Sequence, residues 1–211
     1  MYGVEPATRA PDRELSSRPG RHNQQQALRD GQLMAAVARG DQHAFGELVE
    51  TELPRVVAVA RRVLGNDSEA DDVAQEAMLR LWRQAANWRT GEARVRTWLY
   101  RVAVNLAIDR LRRRREETGT EAPEIAEPAS QQRQLEDRDL AAVVNDALQK
   151  LPERQRIALT LFHYEGATMA DVAEVMDTSP DAVESLLGRG RRALKKQLAH
   201  HWQNILPDAQ N

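Results

Sequence analysis

Apolar residues return at three- and four-residue spacing through two long stretches, roughly residues 24–115 and 135–202, and lose that period between them. A period of this kind puts one side of each helix into a core and leaves no room for alternating strands. In the first stretch Leu33, Ala36 and Val37 share a face, and Gly40 ends the run. The next helix opens at Asp41, carries Phe45, Leu48, Val49, Leu53, Val56, Val57 and Ala60 inward, and ends at Gly65. Pro54 is expected to kink or divide it. A third helix over 68–84, capped by Ser68 or Asp67, turns Val73, Ala77 and Leu81 inward. A fourth, over about 95–115, buries Leu99, Val102, Ala103, Leu106 and Leu111.

The interruption, "EETGTEAPEIAEPASQQRQ", holds two Pro, one Gly and many acids. It reads as a flexible acidic linker, since irregular segments of about twenty residues are functional or disordered rather than packed. The expected architecture is all-α: two small helical domains on a tether, the second with a helix-turn-helix. The corresponding boundaries are a disordered arm over 1–23, a first domain over 24–115, a linker over 116–134, a second domain over 135–203 and a tail over 204–211. With no cysteine, disulfides and thiolate metal sites are excluded. No apolar run approaches the ~18 residues of a membrane span, and the amino terminus lacks the apolar core of a signal peptide. A cytoplasmic protein without membrane insertion is expected.

Charge is segregated. Residues 94–115 hold eight Arg against one Asp, whereas residues 116–139 hold eight acids against two Arg. The net charge of −2 hides a cationic and an anionic segment with separate roles.

In the second domain, Pro152 opens a helix that buries Ile157, Ala158, Leu161 and Phe162 and stops at Gly166. Thr168 and Asp171 have the spacing of a capping box for the next helix, which turns Val172, Ala173 and Met176 inward. After the turn "DTS", Ser179 caps a last helix with Pro180 at its first position and Val183, Leu187 and Leu194 on its apolar side. Two helices around a short turn form a helix-turn-helix over 169–188. In that motif the start of the second helix enters the major groove. It would offer Ser179, Asp181, Ala182, Glu184 and Ser185 to bases, with Arg189, Arg191, Arg192, Lys195 and Lys196 on phosphates. Thr168, as a helix cap, can serve a phosphate as well. A solvated helical hairpin has the same local pattern, and these residues alone leave both readings open.

"DSEADDVAQEAMLRLWRQA" followed by "RVRTWLYRVAVNLAIDRLRRRR" resembles the first conserved domain of bacterial sigma factors, nearest to the small extracytoplasmic-function (ECF) subfamily. "LPERQRIALTLFHYEGATMADVAEVMDTSPDAVESLLGRGRRAL" resembles the second conserved domain, in the expected order and spacing. The resemblance implies that Asp71, Asp72, Val73, Gln75, Glu76 and Leu79 dock on RNA polymerase core. Asp72, Gln75, Glu76 and Leu79 also fall on one helical stripe, although a solvated acidic face has the same pattern. It further implies that Trp88, Arg94, Arg96, Arg101, Asn105, Asp109, Arg110 and Arg113 open and read the −10 element, where aromatics hold bases and Arg follows the backbone. Trp82, Trp98 and Tyr100 also suit a core or its boundary, and burial is the preferred reading of Trp98. The five Arg of 110–115 would repel one another without a polyanion. Glu184 and Leu186 stand where relatives commonly carry basic residues, and Gly190 replaces a common Ala; Leu186 could instead touch a thymine methyl.

Membership in that family implies promoter DNA and polymerase core as partners, an anti-sigma factor as regulator, a monomer when free, and no catalytic site, cofactor or metal. Two other readings fit parts of the chain. A conventional helix-turn-helix regulator leaves "DDVAQEAMLRLW" without a role, and a helical protein adaptor gives the Arg run none. The five His have no metal-ligand spacing on a shared face.

Overall fold

The computed structural model describes residues 21–89, 94–118 and 135–205. Of the expected arm (1–23), linker (116–134) and tail (204–211), residues 21–23, 116–118 and 204–205 are helical, as the ends of the first, fourth and last helices, which corrects those boundaries; the rest lies outside the described residues. Every regular element among the described residues is helical. In the first unit α1 spans Arg21–Ala38, α2 Gln42–Leu64, α3 Asp67–Gln84 and α4 Val95–Thr118, with a 3-10 turn at Ala85–Asn87. In the second, α5 spans Leu135–Gln149, α6 Glu153–Leu159, α7 Met169–Val175 and α8 Pro180–Ile205.

Local chemistry accounts for most boundaries. Asp41 accepts from the His43 and Ala44 amides and starts α2, and Gly65, at φ 69°, ends it in the left-handed conformation. α3 starts one residue earlier than expected, because Asn66 rather than Asp67 or Ser68 accepts from the Glu69 amide at 3.0 Å. Pro54 does not divide α2. Both Pro54 and Glu50, whose carbonyl loses its amide partner, lie on the exposed side, where water replaces that bond. The α6 helix continues into a single π-helical turn, Thr160–Tyr164, closed by Glu165 N–H donating to the Thr160 carbonyl at 3.2 Å. This wider turn delivers Tyr164 and Glu165 to the flank of α2.

The buried apolar side chains form one continuous cluster, from Met34 in α1 to Leu187 in α8, crossing both units. At the seam, Gln149 at the end of α5 donates to the Arg62 carbonyl at 2.7 Å, supplying a partner to the last turn of α2. Arg156 in turn donates to both the carbonyl and the side-chain oxygen of Gln149, each at 2.9 Å. Any Cβ on Gly65 would sit 2.8 Å from the Gln149 side chain, so the two units meet there without spare volume. Arg156 is 3% exposed, and burial lowers its pKa from the ordinary value. Its hydrogen bonds join the α5–α6 corner rather than reach a ligand.

Two glycines of α8 differ. A Cβ on Gly190 would lie 2.8 Å from Leu159 Cδ1, so this position lets α8 close onto α6. A Cβ on Gly188 meets only Arg192 Nη1, at 3.7 Å. Gly188→Ala is therefore expected to raise stability by about 1 kcal/mol. Gly190→Ala gains the same propensity but overpacks, at a cost of about 1–3 kcal/mol. Urea midpoints should rank Gly188→Ala clearly above Gly190→Ala.

Candidate nucleic-acid and polymerase interface

On α3, Asp71, Asp72, Gln75 and Leu79 are exposed and Glu76 is half-exposed. Val73 is fully buried. Its side chain belongs to the core, which corrects its inclusion among the docking residues: it supports the stripe from beneath. The stripe extends one step further than the sequence pattern placed it, because Trp82 is 37% exposed next to Leu79 at 45%. Phe45 fixes the indole by an edge-on contact at 4.8 Å. Arg80 donates to Glu76 at 2.8 Å, and this bond holds the Glu76 carboxyl below its ordinary pKa. The face is thus anionic, with two exposed apolar side chains at one end.

The candidate −10 residues separate into two groups. Arg101, Asn105, Asp109 and Arg113 are all exposed and recur every fourth residue along α4. They form one outward ridge. The others have partners inside the protein. Arg96 makes two bonds, 2.9 and 2.8 Å, to Glu52, which is itself buried. The hydrogen bond to Glu52 also raises the Arg96 pKa. Arg110 donates to the Glu69 carbonyl at 3.0 Å and lies 3.4 Å from Asp72, tying α4 to the stripe on α3. Trp88 and Trp98 are half-buried and meet edge-on at 6.2 Å, which shapes the corner before α4. The Arg run does not depend on a polyanion for relief: Arg114 pairs with Glu69, Arg115 with Glu153, and Arg112 with Asp109 and Glu116.

Arg94 pairs with Asp171 of α7, in the other unit. Asp171 also accepts from the Thr168 amide at 3.0 Å and hydroxyl at 2.7 Å, and its own amide donates to Thr168 Oγ1 at 3.2 Å. The expected capping box is present. Burial pushes the Asp171 carboxyl up, but the bonds from Arg94 and Thr168 outweigh it and hold the carboxyl below 3.8. A depressed carboxylate stabilises the fold above its unfolded pKa and loses that effect as pH falls through the folded value. The stability difference between the native chain and Asp171→Asn should therefore be full at neutral pH and shrink as pH falls from the ordinary carboxylate range through the lowered folded value, in acid titrations followed by urea midpoint.

In the helix-turn-helix, Asp177 takes φ 48° at the turn, and the Ser179 hydroxyl accepts from the Ala182 amide at 3.2 Å. Asp181, Glu184, Ser185, Arg189 and Arg192 are exposed and Ala182 is half-exposed, so these residues share an accessible face. Leu186 is 9% exposed and packs with Val183 and Leu187. It is part of the core and is not placed to reach a thymine methyl, a correction to that expectation.

The residues that sequence reasoning missed lie at the seam. Glu165 accepts from Tyr100 Oη at 2.8 Å and from Arg62 at 3.4 Å, and Arg62 also stacks over the Tyr164 ring at 4.3 Å. Burial, then the Glu165 charge, raises the Tyr100 pKa far above its ordinary value, so the phenol remains a donor. A cavity of about 230 Å³ beside this group is lined by Arg61, Arg62, Asn145 and Tyr164, among others. No helix among the described residues is long and apolar enough to cross a membrane.

The chain matches the sigma-70 region 2 family over residues 48–117 and the sigma-70 region 4 family over 142–194. The RNA polymerase sigma-H factor of Pseudomonas aeruginosa is 37% identical over 181 residues, covering 80% of this chain and 93% of that protein. The ECF sigma factor SigM of Mycobacterium tuberculosis is 32% identical, covering 86% and 88%. CnrH, solved in complex with the cytosolic domain of CnrY, superposes with a TM-score of 0.64 at 27% identity, over 82% of this chain and 98% of that one.

Proposed function

The chain belongs to the ECF subfamily of RNA polymerase sigma factors, and from that membership we propose how its surfaces divide the work of initiation. The α3 stripe of Asp71, Asp72, Gln75, Glu76 and Leu79, extended by Trp82, docks on polymerase core. The α4 ridge of Arg101, Asn105, Asp109 and Arg113 faces the −10 element, with Arg96, Arg110 and Trp88 shaping its support. The exposed start of α8 enters the major groove near −35, and Arg189 and Arg192 neutralise phosphates. The protein acts as a cytoplasmic monomer without catalytic chemistry of its own, and an anti-sigma factor holds it inactive. The relatives' shared activity and the capture of CnrH by the cytosolic domain of CnrY support this reading.

The observation that carries it is the α3 face, where polar groups and two exposed apolar side chains share one stripe that no helix among the described residues covers. The test is transcription from fragmented genomic DNA of the source bacterium, by sigma-free core polymerase with and without this chain. New start sites should appear only with the chain and disappear with Asp72, Gln75 and Glu76 changed to Ala. A shift of duplex DNA without polymerase, and no transcript with it, would overturn the proposal in favour of a conventional regulator.

A further inference from the structure

Asp181, Ser185, Gly188, Arg192 and Lys195 recur at four- and three-residue steps along α8 and form one outward row, with Val183, Leu187 and Gly190 buried behind it. Asp181, Ser185, Arg192 and Lys195 are exposed and Gly188 is half-exposed, so the row has a notch in its middle. A glycine inside a helix lowers stability relative to alanine, and it is of use where another surface must come close. At Gly190 that surface is Leu159 of α6. At Gly188 no other element comes close: the space a Cβ would fill is bounded only by the end of the Arg192 side chain, at 3.7 Å. The backbone there is ordinary right-handed helix, so no turn requires a glycine either.

The surroundings show what chemistry suits the notch. Arg189, Arg191, Arg192, Lys195 and Lys196 follow it, all exposed, with no acid between them. Arg110, Arg114 and Arg115 of α4 each meet a carboxylate, whereas none of these five does among the described residues. Before the notch stand Asp181 and Ser185, on the turns that face the bases. A sugar–phosphate strand fits between the two groups: its phosphates suit the cations, and its deoxyribose occupies the volume of the missing side chain.

Resting on the sigma-factor reading above, we propose that Gly188 is a specificity-determining residue of the −35 contact: it seats the sugar–phosphate backbone of one strand against α8 itself. The strand enters the notch as Arg192 swings off Gly188 onto a phosphate. This seat sets how deep the first turns of α8 enter the major groove, and so whether residues 179–185 reach base edges. A Cβ at this position holds the helix away by its own thickness. The long, flexible cations still reach phosphate from that distance, so binding to any DNA survives while the reading of sequence is lost. Gly188 thus lowers stability in favour of recognition, the reverse of Gly190, whose close approach serves the core.

The test compares Gly188→Ala and Gly188→Leu with the native full-length chain, each bound to core polymerase. The template carries a start site that the native chain directs, in one form with the −35 duplex intact. In the other form that duplex is removed and the −10 element is already unpaired. Both variants should raise the urea midpoint yet weaken binding to the intact template. The loss should be severalfold for Ala and about tenfold or more for Leu, the scale of one misread base pair. Binding to the truncated template should stay unchanged. Intact-template affinity that is equal or tighter in both variants overturns the proposal. An equal loss on the truncated template also overturns it, because the effect would then lie outside the −35 contact. A lower urea midpoint does so too, because the glycine would then serve the fold. If the native chain directs no start site, the sigma reading itself fails. Selection from random duplex DNA by the chain alone then decides the notch: lost sequence preference in Gly188→Leu supports it, and an unchanged preference or no selection overturns it.

Discussion

Replacing Arg96 with alanine is expected to lower the unfolding free energy by about 3 kcal/mol. The reason is Glu52, only 5% exposed, which would keep a buried carboxylate with no bidentate partner. The estimate sits at the low end for a broken buried pair because the Arg96 side chain itself reaches solvent. Arg96→Leu combined with Glu52→Leu should recover most of the loss, since a packed apolar pair replaces two desolvated charges. Urea unfolding of the two single variants and the double variant measures this directly. A stable Arg96→Ala chain with weakened −10 binding would instead return Arg96 to the DNA surface.

The second large effect is on assembly and leaves the fold intact. Changing Gln75, Glu76 and Leu79 together to Ala should weaken binding to core polymerase at least about thirtyfold, or about 2 kcal/mol. All three lie at the surface, so stability should move by less than about 0.5 kcal/mol apiece. Trp82→Ala should weaken binding in the same direction, because its ring extends the apolar end of the stripe. Competition against a fluorescent copy of the native chain for core polymerase, beside urea unfolding, separates the two quantities. Equal loss of stability and affinity would mean that these residues hold the helix rather than contact a partner.

Features that depend on a few consecutive residues were legible in the sequence. The Thr168–Asp171 box, the Ser179 cap and the glycine end of α2 are of this kind. Where three adjacent residues could each cap α3, backbone conformation chose Asn66, which the side-chain types did not reveal. Leu186 was misplaced because it lies between Val183 and Leu187 on the turn, and only the width of the buried face shows which side it takes. The Arg run was counted as unbalanced charge. Its balance comes from nearby Asp109 and Glu116 and from distant carboxylates, Asp72 against Arg110, Glu153 against Arg115, and Glu69 against Arg114, 45 residues away. The seam had no local signature at all, since Tyr100, Glu165 and Arg62 each look ordinary until the chain brings them together.

The Gln149 bond to the α2 carboxyl end also sets an order in time. Arg62 and Glu165 are 103 residues apart, so at about 5–20 residues per second Glu165 is added roughly 5–20 s after Arg62. Helices α2, α3 and α4 can pack during that interval, while the Arg62 carbonyl and the Tyr100 hydroxyl still face water. Until Gln149 and Glu165 arrive, the flank of α2 and α4 that they cover in the finished fold has no partner from the second unit.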